Sequence, residues 1–234
     1  MTSKPVVDPG IVALVPMRHR SERVPGKNYR LLAGKPLYGY IIETLLACPE
    51  IIQIVVNTDS PVVEEGISDQ YPSVRVIQRP SHLCGDKVPM NEILLSDIEQ
   101  VPAEFYLQTH STNPLLRAET ISRAIQTFLA DHERTSLFSV TRIQTRLWSE
   151  DGTPINHNPS ELLRTQDLPP VYEENSCIYL FNRLTLLESK NRLGKRPRFF
   201  EIDPSEAWDI DDELDMSIVE SLLVRRASLD SQET

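Results

Sequence analysis

Hydrophobic positions along this chain keep changing their period. The unbroken apolar run Ile11-Val12-Ala13-Leu14-Val15 is short and has no polar face, so it reads as a strand covered on both sides. Over 36–47 the period becomes helical, with Leu37, Ile41, Leu45 and Leu46 on one face, and a second β-branched run follows at 51–56. The exchange then repeats. Spacing predicts helices over 61–70, 90–99, 119–129, 183–188 and 212–224, and strands over 74–77, 105–109, 137–141, 177–181 and 199–202. In the helix 119–129, Ile121, Ile125 and Phe128 point inward, and Pro114 stops the strand before it. Strand following helix in this order predicts an α/β chain, Rossmann-like, with a mainly parallel central sheet flanked by helices.

One stretch breaks the rhythm. Over 144–174 prolines and scattered charges replace periodicity, the mark of a lid, an arm or a disordered loop inserted in a single domain spanning 1–234.

Composition excludes several classes of function. A chain of 234 residues, 40% hydrophobic and 25% charged, can bury the core of one large α/β domain. It has no run of 18 apolar residues to span a bilayer and no apolar leader with a small-residue cleavage site, so a cytoplasmic protein without a membrane partner is expected. A net charge of −10 argues against nucleic acid as a partner. Cys48, Cys84 and Cys177 are too few and too far apart for a disulfide framework or a Cys-x-x-Cys metal pair, and are expected to be small buried apolar residues.

The candidate chemistry begins where the first strand ends. Arg18, Arg20, Arg23 and Lys27 crowd one loop with the hydroxyl of Ser21 and the turn at Gly26. Fixed cations and backbone N–H groups replace the water that a polyphosphate loses on binding, and arginine can do so bidentately. The spacing is not that of a P-loop, and spacing alone leaves a solvated basic loop as the alternative. Asp59, at the carboxyl end of the second strand, is expected at the mouth of the same crevice as Arg18. Towards the other terminus, Asp209 and Asp211 share a side of any extended segment, and their hard oxygens suit Mg²⁺. A lone Asp-x-Asp also reads as a cap or a solvated face, and Asp212, Glu213 and Asp215 suit the first turn of a helix.

From about Ile11 to Leu223 the chain resembles the acylneuraminate cytidylyltransferase family. Arg18, Ser21, Pro25, Lys27 and Asn28 fill a pattern like Arg-x-x-Ser-x-x-x-Pro-x-Lys-Asn, and Asp209-Ile210-Asp211 with Glu213-Leu214-Asp215 falls where that family's metal-binding aspartates lie. The resemblance implies a fold of the nucleotide-diphospho-sugar transferase type and transfer of CMP from CTP to the anomeric hydroxyl of a 2-keto sugar acid, with pyrophosphate leaving. It implies Arg18 and Lys27 on the β- and γ-phosphates, Ser21 and Asn28 on phosphate and ribose, and Mg²⁺ on Asp209 and Asp211. Arg79 and Asp86 resemble the base-facing segment, although Arg79 also reads as a surface cation and Asp86 as a cap. For the sugar acid the resemblance implies Gln108, Asn175, Tyr179 and a carboxylate clamp from Arg164, with Tyr179 equally readable as a buried strand aromatic. The stretch 144–174 resembles an arm that packs on a second subunit and contributes to its sugar site, which implies a homodimer.

The chain also departs from the pattern. Thr109 stands where Leu-Gln-Pro-Thr-Ser-Pro-x-Arg has its first proline, Ser176 replaces the glycine of Glu-Asn-Gly-x-x-Tyr, and Arg146-Leu147-Trp148 lacks a His-Pro pair. These changes leave the sugar open among sialic, legionaminic, pseudaminic and octulosonic acids. Two rivals are a nucleotide-sugar glycosyltransferase, expected to carry Asp-x-Asp near mid-chain and to lack Lys27-Asn28, and a non-catalytic binding protein, against which intact Lys27, Asp209 and Asp211 speak.

Overall fold

The computed structural model describes residues 10–85, 87–131 and 135–230. In chain order its elements are β1 (Ile11–Met17), β2 (Leu31–Leu32), β3 (Lys35–Pro36), α1 (Leu37–Leu46), β4 (Ile51–Thr58), α2 (Pro61–Gln70), β5 (Arg75–Gln78), α3 (Met90–Gln100), β6 (Phe105–Gln108) and α4 (Ala118–Ala130). There follow β7 (Ser136–Ile143), β8 (Val171–Asn182), α5 (Arg183–Ser189), β9 (Pro197–Glu201) and α6 (Glu213–Asp230). Seven strands form one sheet in the order β5-β4-β1-β6-β8-β7-β9. Only β8 opposes the others: it pairs antiparallel with β6 and β7, whereas the remaining pairs are parallel. The predicted mainly parallel Rossmann-like sheet is the one observed.

The apolar run of β1 explains the layers. Ile11, Ala13, Val15 and Met17 share a core with residues of α1, α2 and α4, while Val12 and Leu14 face Leu94 and Ile98 of α3 and Leu186 of α5. Both faces of the strand are therefore dry, as an unbroken apolar run requires. Cys48 and Cys177 are buried and all three cysteines are free; burial lifts the Cys48 thiol to about 11 and pushes Cys177 up as well. Among the described residues no helix is long and apolar enough to cross a membrane.

The structure departs most from the expected boundaries in three places, the other ends differing by at most two residues. The hairpin β2–β3 falls within the stretch expected to be loop and the start of a helix. The strand expected over 177–181 begins at Val171, because Val171, Tyr172, Glu173 and Glu174 pair with Ile143, Arg142, Thr141 and Val140. The helix expected to end at Val224 runs to Asp230. What remains of the irregular stretch, 144–170, is held by its own polar side chains. Asn156 Nδ2 donates to the Thr145 carbonyl (2.7 Å), and Gln144 Nε2 donates to the carbonyls of Gln166 (2.9 Å) and Leu168 (2.8 Å).

Candidate functional site

In an open parallel sheet, ligands bind beyond the carboxyl ends of the strands where the winding changes direction. Here β1 lies at that change, with β4 on one side and β6 on the other. The ends of β1, β4, β5 and β6 deliver the loop 18–28, Asp59, Arg79 and the loop 109–117 to one edge. The reversed β8 begins at that edge, and β9 leads into the segment carrying Asp209 and Asp211.

A small apolar cluster fastens the two ends of the chain together there. Val24 of the first loop and Ile210 between the two aspartates are both 0% exposed, and pack with Leu32, Leu37, Leu115, Met216 and Val219. Each fully buried aliphatic side chain contributes about 1.5–3 kcal/mol. Gly26 turns the loop with φ of 68°, and a Cβ there would stand 2.7 Å from the Tyr29 ring. Asp59 Oδ1 steadies the loop by accepting from His19 N (2.6 Å), and His19 stacks on Tyr29 at 5.6 Å.

Lys27 is thereby carried to the carboxyl-terminal segment. Its Nζ donates to the Ile210 carbonyl and lies 3.8 Å from Asp211 Oδ1, which also accepts from Arg23 Nη2 at 2.7 Å. Burial lowers the Lys27 pKa, opposed by the attraction of Asp209 and Asp211. Asp209 reaches the open mouth of the site, yet the protein crowding it raises its pKa; a Thr112 hydrogen bond opposes the rise and the neighbouring Asp211 charge adds to it. Asp212 and Asp215 do the work of a helix start: Asp212 Oδ1 accepts from Asp215 N (3.0 Å) and Asp215 Oδ2 from Asp212 N (3.1 Å), a reciprocal capping box. Glu213 pairs with Arg30.

Two cavities meet at this point. One, of about 240 Å³, is lined by Arg18, Ser21, Lys27, Asn28, Arg79 and His110 among others. The second, of about 420 Å³, is lined by Asp209, Asp211, Glu173, Glu174, Asn175 and Ser176 among others. Lys27 borders the first and Asp211 the second, so their contact lies on the boundary. A larger groove of about 790 Å³ beside α1, α4 and α6 holds none of the predicted site residues.

The remaining predicted residues take distinct places. Asn28 turns inward, donating to the Arg18 carbonyl (2.7 Å) and accepting from Ser111 Oγ (2.6 Å). Arg79 is buried rather than a surface cation: its Nε donates to Asn57 Oδ1 (2.6 Å) and its Nη2 to the Asn57 carbonyl (3.0 Å). Asn57 Nδ2 in turn donates to Asp97 Oδ1 (2.5 Å). Asp86 lies outside the described residues. Gln108 is fully buried, and its Oε1 accepts from Arg192 Nη1 (2.5 Å). Asn175 is buried between Ser139 Oγ (2.6 Å) and Thr141 Oγ1 (2.9 Å), with Ser176 beside it in the left-handed region at φ of 60°. Tyr179 takes the alternative reading of a buried strand aromatic, with Arg192 3.5 Å above its ring. Arg164 is exposed on the 144–170 segment, pairs with Asp167 at 2.7 and 3.1 Å, and borders neither site cavity.

Asn57's link to Arg79, Asp97, His110 and Arg192 were not singled out from the sequence. Asp97 alone gave a signal, as an acid on the α3 face that carries Ile93, Leu94 and Ile98. Burial drives its pKa up to about 6, and drives that of His110, near Arg192 and Lys27, down to about 4.

With this geometry in place, comparison with known proteins is specific. A family model for cytidylyltransferases matches residues 12–221. The flagellin post-translational modification protein B of Campylobacter coli is 27% identical over 223 residues, covering 91% of this chain and 94% of the relative. The CMP-N,N'-diacetyllegionaminic acid synthase of Legionella pneumophila is 30% identical over 225 residues, covering 91% and 96%. A structure of CMP:2-keto-3-deoxy-manno-octonic acid synthetase, complexed with CTP, superimposes with a TM-score of 0.68 at 19% identity, covering 93% of this chain and 99% of that one, and shares the fold. The chain belongs to the cytidylyltransferase family.

Proposed function

We propose that this family member transfers CMP from CTP to the anomeric hydroxyl of a sialic-type 2-keto sugar acid and releases pyrophosphate. The observation that carries the reading is the contact of Lys27 with the Ile210–Asp211 turn, which sets cations and carboxylates on opposite sides of one boundary between two cavities. In this reading CTP occupies the cationic cavity and the sugar acid the neighbouring one. Attack on the α-phosphorus then takes place beside Lys27, and charge builds on the departing pyrophosphate. Arg18 and Lys27 bind the β- and γ-phosphates and offset that charge, Ser21 adds a hydrogen bond, Asn28 holds the loop, and Arg79 meets the base.

The donor set at the boundary fits Mg²⁺. Asp209 and Asp211 offer hard oxygens whose mutual repulsion a divalent ion relieves. No group of three or more acidic, histidine or cysteine side chains suited to a metal gathers among the described residues, so Asp209 and Asp211 would hold the ion together with oxygens of the substrate and water. When bound, the ion supplies charge neutralisation and lowers the pKa of the attacking hydroxyl.

The cavity beside Asp209 has Glu173 and Glu174 on its wall and no lysine or arginine among its lining residues, whereas its substrate is an acid. The 144–170 segment carries Arg164 and exposes Leu162 (94%), Trp148 (53%) and Leu163 (44%). We assign it as an arm by which a second copy brings Arg164 to the sugar carboxylate, in a cytoplasmic homodimer. Incubating purified protein with CTP, Mg²⁺ and sialic, legionaminic, pseudaminic and octulosonic acids tests the whole reading. Pyrophosphate release with at least one acid is expected; silence across the panel despite CTP binding favours a binding protein that does not turn over.

A further inference from the structure

The carboxamide of Gln108 can be oriented from its partners alone. Arg192 Nη1 only donates and lies 2.5 Å from Gln108 Oε1, while the Thr109 carbonyl only accepts and lies 3.1 Å from Gln108 Nε2. Turning the amide over would set donor against donor and acceptor against acceptor. The second hydrogen on Gln108 Nε2 therefore points at His110 Nε2, 3.0 Å away. A ring nitrogen that receives a hydrogen bond carries no proton, so the neutral imidazole holds its hydrogen on Nδ1. Burial and the nearby charges of Arg192 and Lys27 keep the ring neutral. Arg192 is fixed in turn over the Tyr179 ring, and its backbone N–H donates to Asn91 Oδ1 at 3.2 Å. Among the described residues no protein group bonds His110 Nδ1, and the ring lines the same cavity as Arg18, Lys27 and Arg79.

We propose that His110 is a binding residue for the nucleotide: Arg192 and Gln108 hold its ring as the Nδ1–H tautomer, and Nδ1 donates one hydrogen bond to an acceptor oxygen of the triphosphate or its ribose. The inference rests on the reading of this cavity as the CTP site. It gives Gln108 and Arg192 positioning roles, in place of the direct substrate contact expected of Gln108, and it falls where the family pattern has a threonine.

Nitrogen-15 NMR of histidine-labelled protein reads the tautomer directly. The ligand-free protein is expected to show His110 as Nδ1–H at neutral pH, and Arg192→Met to lose that preference. Adding CTP is expected to shift the Nδ1 resonance. By calorimetry, His110→Phe weakens CTP binding about tenfold, the worth of one neutral hydrogen bond. His110→Asn keeps an N–H near the δ position and restores most of the affinity. An Nε2–H tautomer in the wild type, or His110→Phe binding CTP as the wild type does, overturns the proposal. Where the Phe variant fails to fold, an Nδ1 resonance unmoved by saturating CTP overturns it alone. Failure of the wild type to bind CTP overturns the site reading as well, so the two failures are distinct.

Discussion

Lys27 Nζ lies 3.8 Å from Asp211 Oδ1, joining the loop after the first strand to the turn before the last helix. Neither residue needs this contact for stability, since the Asp211 side chain is 46% exposed and a pair this open contributes little. Its place on the boundary of two cavities gives the contact its meaning. Asp211→Ala is expected to change folding stability by no more than about 0.5 kcal/mol while lowering pyrophosphate release by about a hundredfold or more. Chelating Mg²⁺ from the wild type is expected to have the same effect on turnover. Thermal melts and a pyrophosphate assay on the same preparation check both, and an active variant removes the metal assignment.

The apolar cluster beneath that contact is tested separately. Ile210 has no exposed surface and makes no contribution to the chemistry through its side chain. Ile210→Ala is expected to cost about 2–5 kcal/mol, and at temperatures where the variant remains folded its kcat/KM is expected to fall, because the aspartates on either side lose their anchor. Ile210→Val keeps most of the packing and is expected to cost about 0.5–1.5 kcal/mol with near-normal turnover. Denaturant unfolding and steady-state kinetics separate the two effects.

Asp97 predicts a pH dependence. Burial raises its pKa to about 6, opposed by the Asn57 hydrogen bond and the charge of Arg79, from an unfolded value of about 3.9. A carboxyl group with a raised folded value favours folding while protonated. Its contribution is therefore fully present below about pH 4 and lost as pH rises through about 6, a change of about 2–3 kcal/mol. Asp97→Asn lacks this titration. The stability difference between wild type and variant is expected to move against the wild type across that window, and parallel profiles in denaturant titrations contradict the assignment.

Ser176 sits at φ of 60°, where the family pattern has glycine. A side chain in the left-handed region costs about 1–2 kcal/mol, and glycine returns about 0.5–1 kcal/mol of that as backbone entropy. Loss of the contact between Ser176 Oγ and Tyr179 Oη (3.2 Å) offsets a little more. Ser176→Gly is expected to gain about 0.5 kcal/mol, seen as a rise in Tm of about 1–2 °C.

Particular residues show which parts of this structure were legible in the sequence. The end of β1 was, because an apolar run breaking into Arg18 and Lys27 has to leave the core there, and a parallel sheet sends such ends to one edge. Gln108 was legible as a strand-end residue and Tyr179 as a strand aromatic, but not in their contacts. The amide oxygen of Gln108 and the ring face of Tyr179 are taken up by Arg192, which comes from a loop 84 residues beyond Gln108 and has no periodicity of its own, and the Tyr179 hydroxyl donates to Glu174. The start of β8 was hidden by Pro169 and Pro170, which precede Val171 and give the whole stretch the look of a loop. Arg79 kept the alternative reading of a surface cation because its partner Asn57, and Asp97 bonded to Asn57, lie on another strand and on a helix, and tertiary packing alone brings them together.

The arm leads to the most demanding prediction. Arg164 borders neither cavity of its own chain, whereas Asp211 borders the one beside it. If each site takes its Asp211 from one copy and its Arg164 from the other, Arg164→Ala is expected to raise KM for the sugar acid about tenfold or more without changing CTP affinity. At sugar-acid concentrations well below that raised KM, mixing it with Asp211→Ala then restores turnover above that of either variant alone. Random exchange between equal amounts makes about half of the dimers mixed, and each mixed dimer holds one site with both residues intact, so about a quarter of wild-type activity returns. Recovery depends on exchange of subunits, and a covalently linked mixed dimer supplies the same test without it. No recovery in the linked dimer places Arg164 in its own chain's site or in none, and the arm then has no part in binding the sugar.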